Sequence, residues 1–204
     1  MRKLRILIAC EFSGIVREAF RRKGHDVWSC DLLDTEIPGQ HIKGDVRDID
    51  FSTFDLMIAH PPCTYLAVSG ARWFKDRLPE QEQALEFVRF LMTLPIPKIA
   101  IENPISVIST RIRKPNQIIQ PWMFGHEETK ATCLWLQGLP LLKPTNIVEP
   151  DYMRKPDGTY YRDKKGGRYS KMHFMSRFKK DRGKLRSRTY RGVAEAMATQ
   201  WNFD

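Results

Sequence analysis

The chain of 204 residues is 42% hydrophobic, which suits one substantial core in a single main domain. It has no stretch near the roughly 18 consecutive apolar residues of a membrane span, which argues against a membrane protein. Its four cysteines form no C-x-x-C pair, which argues against a zinc knot and a disulfide framework. The formal net charge of +10 comes from residues 151–191, where fifteen Lys and Arg accompany four Asp, while the other 19 basic and 20 acidic residues nearly cancel.

The first sixty residues alternate strand-like and helix-like patterns. An apolar run over 4–10 predicts a strand, and the turn Phe12-Ser13-Gly14 then opens a helix that Ser13 is expected to cap and that ends near Gly24. Three further strand-like segments follow. The first covers 26–30, the second is an extended stretch that reaches Asp45, and the third covers 54–59. This βαβ rhythm predicts an α/β fold with a doubly wound, mostly parallel sheet.

In the second half, Pro79 opens a strong helix whose apolar face runs to Met92. Two more strands and a closing helix are predicted, over 98–101, 131–136 and 190–201. Polar or reactive residues follow several strand ends, among them Asp31, Cys63 and Glu102. Because ligands bind at the carboxyl ends of the strands in a doubly wound sheet, these positions predict a ligand site.

Basic and aromatic residues alternate between 151 and 191. Tyr160, Tyr161, Tyr169, His173 and Phe174 interrupt the Lys and Arg residues. Lys and Arg release counterions from phosphates while aromatic rings contact bases, so this segment suits a nucleic acid. A solvated basic loop or tail is the equally weighted alternative.

The first turn and two later acids suggest a nucleotide-like ligand. Phe12-Ser13-Gly14 after a strand is a weak signal by itself, because many such turns need a Gly. Asp31 could accept hydrogen bonds from ribose hydroxyls, and Asp45 in Gly44-Asp45-Val46 could accept one from an adenine amino group. Each acid is equally consistent with a turn or cap.

The segment His60-Pro61-Pro62-Cys63 contains a candidate nucleophile. Its two prolines remove backbone donors and stiffen the exit from the strand, which fixes the thiol at the edge of a pocket. A small buried hydrophobe is the commoner role for a lone cysteine, and Cys10 and Cys30 fit it well.

Glu102 ends an apolar strand, where a carboxylate is costly to bury unless it is paired or protonated. A protonated or strongly hydrogen-bonding Glu beside a cysteine suits addition to a pyrimidine ring. The thiolate attacks carbon 6 while the acid stabilises charge on the adjacent ring nitrogen.

Taken in this order, the motifs resemble the DNA cytosine-5 methyltransferase family, particularly its compact phage-type members, over most of residues 4–137. Phe12-Ser13-Gly14 corresponds to the family's cofactor-binding F-x-G, and Pro62-Cys63 corresponds to its catalytic Pro-Cys. Ser69-Gly70 matches the Ser-Gly that follows the catalytic motif. Glu102-Asn103-Pro104 is similar to the Glu-Asn-Val whose Glu binds the target base. The resemblance implies a Rossmann-like S-adenosylmethionine-dependent methyltransferase fold with a mostly parallel sheet and a small basic C-terminal insertion.

The resemblance also implies a reaction and a set of site residues. A methyl group would pass from S-adenosylmethionine to carbon 5 of a flipped cytosine in double-stranded DNA, through a covalent Cys63 adduct and without a metal. Cys63, Glu102 and Lys130 would be catalytic. The cofactor would contact Phe12, Ser13, Gly14, Asp31, Asp45 and Pro61.

Three motifs depart from the family pattern. The cofactor turn lacks a second Gly, with Val16 nearby, and Pro104 replaces a Val. The family's Q-x-R-x-R positions read Glu128, Lys130 and Thr132, so one cation survives. Base positioning is therefore the least determined part of the prediction.

The chain is much shorter than typical members, which carry a separate recognition domain. We expect a catalytic core over 1–139, a basic DNA-recognition segment over 140–189 and a helix returning to the core over 190–204. The loop after Cys63 would close over the flipped base, although a surface loop with an anchoring aromatic pair fits it as well. The expected DNA contacts are Ser69, Arg72, Trp73, Lys75, Arg77, Arg168, Lys171, Arg177, Lys179 and Lys180.

Other functions stay open at this stage. His60-Pro61-Pro62-Cys63-Thr64-Tyr65 also resembles the loop of DNA amino-methyltransferases, which need no thiol. A catalytically silent DNA-binding homologue is a second alternative, and the basic segment disfavours a modifier of free pyrimidine nucleotides. The expected location is the cytoplasm of a bacterium or a phage-infected cell, and no protein partner is predicted.

Overall fold

A computed structural model describes residues 2–162, 166–170 and 182–202. One sheet holds seven strands, which are in chain order β1 Arg5–Ala9, β2 Asp26–Asp31, β3 His41–Lys43, β4 Leu56–Ala59, β5 Lys98–Pro104, β6 Gln117–Ile119 and β7 Thr132–Gln137. Their spatial order is β3-β2-β1-β4-β5-β7-β6. The first five run parallel, and β7 is antiparallel to both of its neighbours. The predicted α/β class with a mostly parallel sheet is confirmed.

The central strands are apolar throughout because both of their faces are covered. In β1, Ile6 and Ile8 point into one core while Leu7 points into the other, and all three side chains are fully buried. Leu56 and Ile58 of β4 join the first core and Met57 joins the second. The sheet is therefore the middle layer of three.

Five helices cover the described parts of the sheet and its ends: α1 Ile15–Arg21, α2 Leu78–Met92, α3 Ile108–Arg111, α4 Arg182–Ser187 and α5 Arg191–Gln200. Phe20 of α1 and Met197 of α5 lie in the first core, and Leu85 and Val88 of α2 lie in the second. The helix predicted to return to the core thus packs beside α1. None of the described helices combines the length and apolarity needed to cross a bilayer.

The cap of α1 differs from the sequence prediction. Gly14 is the N-cap residue, with a left-handed φ of 72°, and the Glu11 carboxylate accepts hydrogen bonds from the backbone N–H groups of Val16 at 2.7 Å and Arg17 at 3.2 Å. The Ser13 hydroxyl accepts from the Ile15 N–H at 3.3 Å and donates to the Glu11 carboxyl group at 3.2 Å. The prediction that Ser13 caps the helix was wrong because the Glu11 carboxyl group accepts from the first-turn N–H groups in its place.

The described part of the basic segment forms a small antiparallel unit. Tyr152 bridges to Ser170, and Arg154 bridges to Tyr160. The guanidinium of Arg168 lies over the rings of Tyr152 at 5.1 Å and Tyr160 at 4.5 Å, so these rings pack against a cation of the chain itself. His173, Phe174 and the predicted DNA contacts Lys171, Arg177, Lys179 and Lys180 lie outside the described residues. The division of the chain at residues 139 and 189 stays a prediction.

Candidate active site

Three neighbouring strands of the sheet, β1, β4 and β5, end at the same edge. This brings together Glu11 and His60, which follow their strands, and Glu102, which lies within β5 because that strand continues to Pro104 rather than ending at 101 as predicted. The backbone N–H of His60 donates to the Ala9 carbonyl at 2.9 Å, which extends the β1 to β4 pairing by one residue. The chemistry predicted at strand ends is thus gathered at one place.

The segment that carries Cys63 is pinned on both sides of the thiol. The buried Asn103 amide donates to the Pro61 carbonyl at 2.8 Å, and the Val107 N–H donates to the Leu66 carbonyl at 3.0 Å. Both partners belong to β5 or the turn that follows it. Asn103 therefore fixes the proline loop from the strand that also carries Glu102, a role that sequence reasoning did not assign.

Cys63 is the exposed one of the four cysteines, all of which are free. Burial raises the pKa of Cys10 to about 12 and those of Cys30 and Cys133 to about 11, so these three thiols are inert near neutral pH. Partial loss of hydration also raises the pKa of Cys63, but the positive charge of Lys130 opposes that rise. Cys63 is therefore the one exposed cysteine of the four and the best candidate for a nucleophile among them.

Glu102 forms an ion pair with His60. His60 Nδ1 donates to Glu102 Oε2 at 2.8 Å, the Thr189 hydroxyl donates to the same oxygen at 3.3 Å, and the two side chains are 11% and 10% exposed. Burial would raise the pKa of Glu102, but the hydrogen bond from His60 and its charge hold that pKa well below the usual range. Glu102 is therefore a strongly hydrogen-bonded carboxylate, the second of the two states that the sequence left open.

The first of two large cavities lies at the ends of β2 and β4. It measures about 480 Å³ and is lined by Asp31, Leu32, Asp45, Val46 and Pro62, among others. Leu32, which is 70% exposed, contributes an apolar part of its wall. Two carboxylates beside apolar walls suit a ribose and a flat aromatic base.

Asp31 and Asp45 are also anchored by the backbone. Asp31 accepts from the Leu33 N–H at 2.9 Å, and Asp45 accepts from the Arg47 N–H at 3.0 Å. The Arg47 side chain, by its hydrogen bond, also lowers the pKa of Asp45, which stays ionised. The turn interpretation and the ligand interpretation of these acids are thus compatible.

The remaining residues predicted to bind the cofactor lie elsewhere. Phe12, Ser13, Gly14 and Pro61 are not among the residues lining the cavity of Asp31 and Asp45. Phe12 is nearly buried, with the Lys184 ammonium 5.2 Å from the centre of its ring. Their contact with a cofactor stays a prediction.

The second cavity is a basic cleft of about 610 Å³ on the other side of the Cys63 segment. Ala67, Val68 and Ser69 of that segment form part of its wall. The cations that line it are Lys130, Arg168, Arg186, Arg188 and Arg191. Sequence analysis had named two of these five, because fifteen Lys and Arg residues in one segment offer no local signal of which ones converge.

Lys130 lies at the junction of the catalytic residues and this cleft. Its Nζ donates to the Arg186 carbonyl at 2.9 Å and lies 5.8 Å from the centre of the Tyr190 ring. Its charge acts on Cys63, His60 and Glu102. The one cation that survives from the family motif is therefore positioned to influence the reacting groups.

The predicted base-closing loop forms a helical turn over Val68–Asp76. Trp73 is 55% exposed and lies with Tyr65, Phe74 and Arg77 around a separate hollow of about 310 Å³. The exposed Arg72 covers the Trp73 ring at 5.0 Å, and Lys75 is also exposed. Of the predicted DNA contacts in the described chain, only Ser69 and Arg168 line the basic cleft.

The described residues contain no group of three or more His, Cys, Asp or Glu side chains arranged to hold a metal ion. Their candidate chemistry rests on a thiol, carboxylates, an imidazole and cations.

Comparisons with known proteins support the fold. No protein-family model matches the sequence, and no curated protein matches it either. Among solved structures, the Entamoeba histolytica methyltransferase EhMeth matches with a TM-score of 0.50 at 12% identity, over 98% of this chain and 94% of that one. At this identity the likeness establishes the Rossmann-like fold of a methyltransferase.

Two Dnmt2 structures match less closely. S. pombe Dnmt2 methyltransferase has a TM-score of 0.44 at 16% identity over 68% of this chain, and a mutant Spodoptera frugiperda DNMT2 has 0.45 at 16% over 74%. The matched region spans 50% and 58% of those two chains, so this chain covers little more than half of their length.

Proposed function

We propose that this protein is an S-adenosylmethionine-dependent methyltransferase that modifies carbon 5 of cytosine in DNA, with Cys63 as its nucleophile. The observation that carries the proposal is the position of the Cys63 segment between two cavities. Pro62 and Tyr65 line the cavity of Asp31 and Asp45, while Ala67, Val68 and Ser69 line the basic cleft. Cys63 itself lines neither cavity, but an exposed thiol on a segment that borders both a cofactor-sized cavity and a basic cleft suits this reaction.

The first cavity fits S-adenosylmethionine in size and chemistry. Its volume of about 480 Å³ lies within the range of cofactor sites. Asp31 would accept from the ribose hydroxyls, Asp45 from the adenine amino group, and Leu32 and Val46 would cover the adenine ring. When bound, the cofactor supplies an electrophilic methyl group. The methyltransferase fold supports this assignment.

Asp45 provides the test of this assignment. Asp45→Asn should weaken S-adenosylmethionine binding about tenfold in calorimetry, because a hydrogen bond to a charged group is worth about 1.5–3 kcal/mol and the amide keeps only part of it. Asp50→Asn is the matched control, since Asp50 caps the next turn through the Ser52 N–H at 3.0 Å and does not line the cavity. Equal affinities for the two variants would contradict the assignment.

Cys63, Glu102 and Lys130 have separate roles in the reaction at the pyrimidine ring. The Cys63 thiolate adds to carbon 6, which moves electron density toward ring nitrogen 3 and makes carbon 5 nucleophilic. Glu102 holds the nitrogen 3 and amino edge of the base, and Lys130 favours the thiolate by its charge. After methylation, loss of the carbon 5 proton and elimination of the thiolate release the product.

The cations of the cleft support a nucleic-acid substrate. Phosphate neutralisation by several Lys and Arg residues supplies most of the affinity for DNA. The described cleft combines five such residues with the Tyr169 and Tyr190 rings. A flipped base can therefore be held beside Glu102 while its backbone lies along the cations.

Mass spectrometry of nucleosides tests the whole proposal. Purified protein is incubated with isotopically labelled S-adenosylmethionine and either double-stranded DNA, single-stranded DNA or RNA of the same sequence. We expect labelled 5-methylcytosine in double-stranded DNA. Label on an exocyclic amine would make the protein an amino-methyltransferase, label in RNA alone would change the substrate, and binding of DNA without any label would indicate a silent homologue.

A further inference from the structure

His60 is a buried ionisable residue that neither adds to the base nor lines a described cavity. It ends β4, one residue before the two prolines, and its side chain is 10% exposed. Its Nδ1 bonds to Glu102, while its Nε2 is buried without a hydrogen-bond partner among the described residues. Burying such a group is costly, so a purely structural position would favour an apolar side chain.

The groups that surround His60 favour its charged form. Glu102 approaches from β5, Glu11 from the turn after β1, and Lys130 from the chain before β7. Burial lowers the pKa of His60, but the hydrogen bond to Glu102 and the charges of both carboxylates outweigh burial and the opposing charge of Lys130, so that pKa is raised. The pair of His60 and Glu102 therefore holds one proton, which lies on the imidazole.

Glu102 is left with one oxygen for a ligand. His60 and Thr189 both donate to Oε2, and no described residue is seen to bond to Oε1. Glu102 also lines a small hollow of about 10 Å³ with Lys130 and Tyr190, and these two residues line the basic cleft as well. A base bound at Oε1 would thus be separated from the His60 nitrogen only by the Glu102 carboxyl group.

We propose that His60 is a positioning residue that stores the proton which Glu102 passes to ring nitrogen 3 of the target cytosine. This inference rests on the proposed function. As the Cys63 sulfur bonds to carbon 6, the carbon 4 to nitrogen 3 π pair moves onto nitrogen 3. Glu102 takes the Nδ1 proton of His60 on Oε2, and its carboxyl group turns about the Cγ–Cδ bond so that this proton faces the base. Nitrogen 3 then takes the proton. When the thiolate leaves, nitrogen 3 returns its proton by the same route, and the carbon 5 proton passes to water.

Single-turnover methylation across a pH range tests the proton store. His60→Asn keeps a donor near the Nδ1 position but cannot carry the proton, so we expect the rate near pH 7.5 to fall about 10²-fold while DNA affinity is unchanged. Because the ionisation of Cys63 affects both proteins alike, it cancels in the ratio of the variant rate to the wild-type rate. That ratio should rise toward acid pH, where Glu102 in the variant takes up a proton itself. His41→Asn, outside both cavities, is the control and should keep the wild-type rate.

A double-mutant cycle separates this role from a structural one. If His60 acts through Glu102, adding His60→Asn to Glu102→Gln should slow the reaction no further. A rate ratio that is constant with pH, or independent losses in the cycle, would overturn the proposal. Unchanged activity in His60→Asn would do the same.

Nuclear magnetic resonance gives a readout that needs no activity. The chain has five histidines, so the His60 ring signal is the one missing from the His60→Asn spectrum. Glu102→Gln should lower the pKa of His60, because it removes the charge that favours the imidazolium. An unchanged His60 titration would refute the pair itself. If Glu102→Gln lowers the pKa of His60 but the wild-type protein transfers no methyl group, the proposed function is refuted and, with it, the catalytic role of His60.

Discussion

Replacement of Cys63 by Ser should abolish methyl transfer, with a loss of at least about 10³-fold, the scale on which removal of a covalent nucleophile acts. A serine hydroxyl is ionised far less than a thiol and adds poorly to a pyrimidine. The same variant should form no covalent adduct with an oligonucleotide that contains 5-fluorocytosine, where fluorine at carbon 5 prevents the final elimination. Binding of S-adenosylmethionine should be unchanged. Denaturing gel electrophoresis and calorimetry measure the two properties.

Cys133→Ala is the matched control for this experiment. Cys133 is buried in β7, in the second core and outside both cavities. We expect this variant to form the adduct at the wild-type rate. Methylation by Cys63→Ser would contradict the proposed mechanism, and an adduct that persists in this variant would exclude Cys63 as the nucleophile.

The second large effect concerns stability. Trp201→Ala should lower the free energy of unfolding by about 3–5 kcal/mol, the usual cost of emptying a large buried aromatic site. Trp201 is fully buried at the end of α5, in the core that α5 shares with Phe20 of α1. Its indole N–H donates to the Pro140 carbonyl at 3.0 Å, so the truncation also leaves that acceptor without its partner. Urea titration measures the change as a shift in midpoint.

Trp73→Ala serves as the comparison for stability. Trp73 is 55% exposed, so its truncation should change the free energy of unfolding by no more than about 0.5 kcal/mol. A loss below 1 kcal/mol in Trp201→Ala would mean that α5 does not close the first core. A comparable loss in both variants would mean that the loop after Cys63 is packed rather than surface-exposed.

The secondary structure was largely readable from the sequence because it depends on short-range patterns. Continuous apolar runs predicted β1, β4 and β5, and apolar spacing predicted α2 and α5. The error at the α1 cap arose because Glu11, a residue type not usual at helix caps, reaches the helix from three residues before Gly14. The three-residue β6 and the reversed direction of β7 had no local signal, since strand direction depends on the path of the connecting chain.

The candidate site was predictable in its parts and not in its contacts. Cys63, Glu102, Asp31 and Asp45 were named from their positions after apolar strands. The contact between His60 and Glu102 could not be predicted, because the two residues are 42 positions apart in the chain and meet only because β4 and β5 are adjacent. A histidine at the end of a buried strand was the signal available.

By itself the sequence determined which chemical groups the protein has and that they follow strand ends, because turn chemistry and apolar periodicity are local properties. Only the tertiary structure decided which of those groups meet. Strand order placed Glu11, His60 and Glu102 together, and the return of the C-terminal chain placed Arg186 and Arg188 beside the Cys63 segment. The physical reason is that long-range contacts are selected by the burial of the whole core, which a local pattern cannot encode.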